Sequence, residues 1–209
     1  MNKTRSKETR DEHSRRHRIL DTAETLMLQQ GYAATSMGEI CAGVGVTKGA
    51  LFHHFASKEQ LAREVLGRWI EKSLAPLSFA LDPGLEPDPL KRLRRLFDAL
   101  VERYESFEFP GCLAGLFAME HGIMNEEIRM DCRKAFDKFR QSIERELTAA
   151  RAMRQWVTGS AYNVHPAALA ALSVDAIQGA LLMSRVVPDR GELRAVVDEL
   201  WHCIEQRFP

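Results

Sequence analysis

The residues with the most chemical reach lie in two places. From position 47 the chain reads Thr47-Lys-Gly-Ala-Leu-Phe-His-His54, and at Cys112 a thiol follows Pro110-Gly111. The first run suits a polyanion. Thr47, Lys48, Gly49, His53 and His54 are polar or small, and Gly49 and Ala50 leave the N-terminal end of a short helix uncrowded. Its backbone N–H groups and positive dipole can approach phosphate there. The second suits nucleophilic chemistry, because a thiol at a helix start has its thiolate favoured by the dipole. The competing reading of Cys112 is a buried structural thiol.

Other chemistries fail on spacing. His53 and His54 diverge by about 100° on a helix, and neither has a carboxylate or cysteine four residues on, so no metal site is expected. The cysteines at 41, 112, 132 and 203 form no CxxC. A Cys112/His121 hydrolase or transferase would need the two side chains within hydrogen-bond reach. Nine residues along one helix put them on opposite sides. GxSxG, HExxH, P-loop and Rossmann fingerprints are also missing. Neither an enzyme nor a cofactor is expected.

The surrounding charge supports a localised anionic partner. The 209 residues carry 29 basic and 29 acidic side chains, which excludes a uniformly basic binder. The balance is uneven: residues 1–72 are net +3 and residues 73–209 net −3. Seven of the basic residues fall in the first twenty positions, from Lys3 to Arg18. Residues 1–14 read as a flexible basic arm, either touching the minor groove and backbone of DNA or simply aiding solubility. The N-terminus has no apolar h-region and the chain no uninterrupted 18-residue apolar run, so neither signal peptide nor membrane span is expected. A cytoplasmic protein with free thiols follows.

The elements that position these residues are helical, giving an all-α fold of about nine helices; no segment alternates as a strand. The first helix is expected over about 15–30 and stops at Gly31. Ser36-Met-Gly-Glu39 opens a short helix as a capping box, Gly43-Val-Gly45 breaks it, and a second short helix runs from Thr47 to His54. Ser57-Lys-Glu-Gln60 opens the fourth. Two short helices joined by a glycine-bearing turn, after a longer one, have helix-turn-helix spacing. Residues 82–89 hold three prolines and read as a linker. Further helices are expected at about 89–106, 112–121, 125–152, 167–187 and 190–207, with a loop from Trp156 to Pro166.

The run from Gly31-Tyr32 through Thr35, Ile40-Cys-Ala-Gly-Val44, Val46-Thr-Lys-Gly-Ala-Leu-Phe-His-His-Phe55, Ser57-Lys-Glu and Leu61 closely resembles the DNA-binding domain of the TetR family of transcriptional regulators. The resemblance implies a helix-turn-helix domain over 15–57 and a helical effector-binding and dimerisation domain over 58–209. It implies that Thr35 or Ser36 contacts phosphate, that Thr47, Lys48 and Gly49 open the recognition helix, that His53 and His54 lie on its exposed face, and that Lys58 holds phosphate. Phe52 stands where the family commonly has Tyr, so a phenolic contact to phosphate is missing.

For the C-terminal part the resemblance implies a ligand-responsive dimer on a pseudo-palindromic operator, by default a repressor. The last two helices, about 167–207, are the expected dimer interface, with Ala176, Gly179 and Ala180 permitting close approach and Trp201 as an anchor. Gly111-Cys-Leu-Ala-Gly115 resembles a Gly-Cys-Leu-x-Gly-Asn pattern in a subgroup that includes the N-ethylmaleimide reductase repressor and the acrylate-utilisation regulator. Leu116 replaces the Asn. Pocket walls are expected from Phe97, Leu100, Tyr104, Phe107, Cys112, Phe117, Met119, Phe136, Phe139 and Trp156, which suit an apolar or electrophilic effector. The alternatives are a small helical Cys112-dependent enzyme, in which another histidine would serve as base, and an effector-free architectural DNA binder.

Overall fold

A computed structural model describes the backbone of residues 2–106, 111–121, 126–158, 165–186 and 191–208, with the side chains of residues 2–12, Pro76, His121 and residues 156–158 excepted. Among the described residues there are nine helices and no strand: α1 Asn2–Ala34, α2 Met37–Val44, α3 Lys48–His54, α4 Lys58–Ala80, α5 Pro89–Glu105, α6 Leu113–His121, α7 Glu126–Thr158, α8 Pro166–Met183 and α9 Gly191–Glu205.

Two helices run further than their expected ends. α1 continues back to Asn2 through the stretch read as a flexible arm. No Gly or Pro interrupts residues 2–30, and the Lys, Arg and Glu there are good helix formers. α7 continues to Thr158, so Trp156 belongs to a helix and not to a loop; its side chain lies outside the described residues. Gly31 does break α1, at φ 87°, a conformation that only glycine adopts cheaply.

The chain divides into two compact units. The first holds residues up to Ile70 together with Leu113–Cys132. This boundary lies beyond the expected 57/58 division, and α6 joins the N-terminal unit. Ile19, Leu20, Ala23 and Met27 of α1 are buried, as are Ile40, Val44, Leu51, Phe55, Leu61 and Val65 of the next three helices. That is the apolar face spaced at three and four residues. α1 packs on both α2 and α6. A Cβ at Gly43 would fall 2.8 Å from Thr22 Cγ2, so a larger residue there would push that side chain aside.

The second unit holds Glu71–Cys112 and Arg133–Pro209. In it α9 packs on α5 and α8. Asp88 caps α5 by accepting from Leu90 N at 2.8 Å, with Pro89 in the first turn. The buried Arg92 donates Nε to Glu146 Oε2 at 2.9 Å and Nη1 to the carbonyls of Glu86 and Pro87 at 2.7 and 2.8 Å. One guanidinium therefore fastens the proline-rich loop to α5 and α7. α8 is long and apolar enough to cross a membrane, with mean hydropathy 1.5, but Leu169, Val174, Ile177 and Leu181 are buried and Asp175 interrupts it. A helix with one face packed on α9 is the reading consistent with those contacts.

Candidate nucleic-acid interface

The geometry of the turn region comes from short-range capping. Ser36 Oγ accepts from Glu39 N at 3.1 Å while Glu39 Oε2 accepts from Ser36 N at 2.7 Å, closing the expected capping box. These bonds hold the Glu39 carboxyl below its ordinary value. Gly45 ends α2 in the left-handed region at φ 74°. Thr47 Oγ1 then accepts from Ala50 N at 3.2 Å and starts α3. Leu51 is the buried anchor of α3.

What remains outward on α3 is the expected polar set. Thr47, Lys48, Gly49, Phe52 and His53 are exposed, and His54 is half-buried with its ring 6.4 Å from that of Phe55. A Cβ at Gly49 would meet nothing closer than Thr47 Oγ1 at 3.9 Å, so open space lies in front of this helix end. Phe52 keeps 48 % of its surface exposed. An exposed aromatic without a hydroxyl offers apolar contact, the kind that a thymine methyl accepts.

Two phosphate candidates sit differently. Thr35 is fully buried, and its Oγ1 donates to Gly31 O at 2.6 Å. It fixes the turn instead of facing a groove, which leaves the exposed Ser36 as the residue of that pair able to reach phosphate. Lys58 is half-buried. Its Nζ donates to Ala33 O at 3.2 Å and lies 4.2 Å from the centroid of the Tyr32 ring. Burial lowers its pKa.

Several supporting residues were not singled out from the sequence. Arg18 Nη2 donates to Val44 O at 2.6 Å, satisfying the end of α2 from α1. Arg16 pairs with Glu64 and stands 5.0 Å over the Phe55 ring. Arg63 of α4 pairs with Asp131 at 2.8 Å and with Glu127. The basic residues near the N-terminus were read as a group facing anions. Only their phase on α1 relative to Ile19 and Leu20 could have separated the inward ones.

The residues expected to wall an effector pocket come mainly from α5, α6 and α7. Phe97, Leu100 and Tyr104 are buried on α5, with the Phe97 ring edge-on to Trp201 at 6.4 Å. Phe117 is buried edge-on to Tyr32 at 5.7 Å, within the N-terminal unit. Met119 is 67 % exposed. Phe139 lines an open cleft of about 390 Å³ with Leu74, Leu77, Leu81, Leu96 and Lys138. Phe136 lines a separate one of about 380 Å³ with Val174 and Arg140. Cys112 is half-buried after Gly111, whose φ is 146°. Phe107 and the Trp156 side chain lie outside the described residues. Adjacent phase on a helix told which residues are inward, but not which inward residues leave a void.

Comparison with known proteins matches the chain in two stretches. Residues 19–65 match the model of bacterial regulatory proteins of the tetR family. Residues 89–199 match the C-terminal domain of LmrA/YxaF-like transcriptional regulators. The HTH-type transcriptional repressor DhaR of Mycobacterium sp. (strain GP1) is 25% identical over 85% of this chain and 86% of its own. A TetR transcriptional regulator from Chloroflexus aurantiacus superposes with a TM-score of 0.82 at 24% identity, over 95% of this chain and 98% of that one. Reduced E. coli NemR superposes with a TM-score of 0.72 at 22% identity, over 89% and 95%. The last two likenesses are of fold.

Proposed function

Because the chain belongs to the TetR family of bacterial transcriptional regulators, we propose that it is a dimeric, cytoplasmic repressor that leaves a pseudo-palindromic operator when a small effector binds. The observation that carries this reading is the open outward face of α3, from Thr47 to His53, held by caps on a buried Leu51. Such a helix enters the major groove by its N-terminal end, with Lys48 and Ser36 set toward phosphates and Phe52 and His53 toward base edges. The repressor name carried by DhaR supports the negative sign.

Dimerisation through α8 and α9 is supported by the outer face of α8. Leu172, Gly179, Met183 and the following Val186 are exposed, and a Cβ at Gly179 would meet nothing within 4 Å. Positions 172, 179 and 183 share one side of a helix, giving an apolar strip with a small residue in its middle. Two such hairpins form a four-helix bundle, and its twofold axis sets recognition helices about 34–36 Å apart.

The effector is read as small and apolar or electrophilic. The clefts beside Phe139 and Phe136 support the first class, and the half-buried Cys112 the second. Effector and DNA oppose each other reciprocally, by about 1–3 kcal/mol of coupling.

The test is a gel shift and footprint on DNA flanking the protein's own gene. Protection of a palindrome, lost when one half-site is scrambled, is the expected result. Binding that ignores sequence and follows salt alone would replace this reading by an architectural one. Cys112→Ser is expected to bind the same DNA and to lose release by small electrophiles. Unaltered release would move the effector to the apolar clefts.

A further inference from the structure

Resting on the reading of the chain as a DNA-binding regulator, we infer that Glu120 of α6 is a positioning residue for DNA binding, acting on the α1–α2 turn that presents Ser36. Its carboxylate Oε2 accepts from Ala33 N at 2.7 Å. The approach is so close that a Cβ on Gly31 would fall 1.9 Å from Glu120 Oε1. Gly31, at φ 87°, is where α1 breaks, so the backbone there has lost its helical partners. An acceptor supplied by another helix replaces them.

The contact continues toward the interface. Gly31 O accepts from the buried Thr35 Oγ1 at 2.6 Å. Thr35 directly precedes Ser36, the cap of α2. From the other side Lys58 Nζ donates to Ala33 O. The Ala33 peptide is thus held at its N–H by α6 and, one residue group on, at its carbonyl by α4, with Phe117 of α6 packed edge-on against Tyr32 beside it.

The location of Glu120 argues against coincidence. It stands in the last turn of α6, where the helix dipole disfavours a carboxylate. The charge costs α6 some stability, and the neighbouring helix N–H and the Lys58 ammonium offset it. If α6 shifts, the α1–α2 turn loses its acceptor, and Ser36 and the start of α2 lose their fixed position.

The experiment uses the full-length protein and DNA selected by the wild type from a random library. Titrating shifts are measured for wild type, Glu120→Ala, Glu120→Gln and Lys48→Ala at several salt concentrations, with thermal melts alongside. Glu120→Ala is expected to weaken binding about tenfold, the scale of one lost hydrogen bond to a charged group, with an unchanged salt slope. Glu120→Gln keeps an acceptor oxygen and is expected to stay within about threefold of wild type. Lys48→Ala is expected to flatten the salt slope, which marks a direct phosphate contact. If Glu120→Ala does not fold, Glu120→Asp replaces it, since a carboxylate shorter by one methylene falls away from Ala33 N and is expected to give the same loss. Wild-type affinity in Glu120→Ala, or equal damage by Ala and Gln, overturns the inference while leaving the regulator reading intact if Lys48→Ala is still impaired. Failure of the wild type to select any sequence overturns both.

Discussion

The stretch from Thr35 to Gln60 and the helices of the second unit are held by polar contacts of different reach. In the first the decisive bonds join residues three or four apart: Ser36 with Glu39, Thr47 with Ala50, Ser57 with Gln60, Ala56 with Gln60. In the second they cross long distances in sequence: Arg92 with Glu146, Arg94 with Asp198, Arg194 with Glu105. Local bonds bend the backbone into one shape and leave its outer face free for a partner. Long-range bonds choose which helix lies beside which.

The largest effect expected from this contrast is on Arg92. Arg92→Ala leaves the buried Glu146 carboxylate only the longer contact from Arg145 Nε at 3.4 Å and takes the Arg92 donor from the carbonyls of Glu86 and Pro87. A loss of about 3–5 kcal/mol of stability is expected in denaturant melts. Arg92→Met combined with Glu146→Leu is expected to recover most of it, because removing both charges also removes their desolvation cost. A single mutant as mild as a surface substitution would erase the contrast between the two regions.

A middle-sized effect is expected at Lys48. Lys48→Ala should leave stability within about 0.5 kcal/mol, as for an exposed residue, and weaken binding to all sequences alike. The salt slope should fall by about one. Specificity lost at one base position, with the slope unchanged, would move Lys48 from phosphate to base reading.

The smallest effect is at Glu39. Its folded carboxyl titrates below the ordinary value because Ser36 bonds to the charged form. The unfolded state binds its proton first as pH falls. The contribution is therefore complete above the ordinary carboxylate range and is lost as pH drops through the lowered folded value. Melts of wild type and Glu39→Gln across acid pH should differ above that range and converge below it. A constant difference at all pH values would mean that the box works without charge.

The same contrast explains what could be read from the chain before its structure. Ser36, Gly45, Thr47, Asp88 and Gly31 act on neighbours a few residues away, so their types and spacing already carry their roles. The apolar phases of α5, α8 and α9 were equally visible. Lys58 and Glu120 depend on what another helix brings, both meeting the chain at the α1 break. The aromatics make the same point: Phe117 and Phe97 have alike periodicity, but one meets Tyr32 and the other Trp201. The extra length of α1 and α7 was legible in the lack of Gly and Pro, and in α1 was hidden by reading a charge run as an arm.

On the proposed reading of α3 as the recognition helix of a dimer, its seven residues set a limit on the information this molecule can read. At about 1.5 Å per residue the helix is about 10 Å long, the span of about three base pairs. Two copies would spell about six letters, a word that recurs by chance every few thousand base pairs, against the roughly million or more competing sites of a genome. Most of the address must then lie elsewhere: in the fixed separation of the two words and in the deformability of the DNA between them. Inserting one base pair at the centre of the operator would consequently cost more discrimination than changing most of its letters.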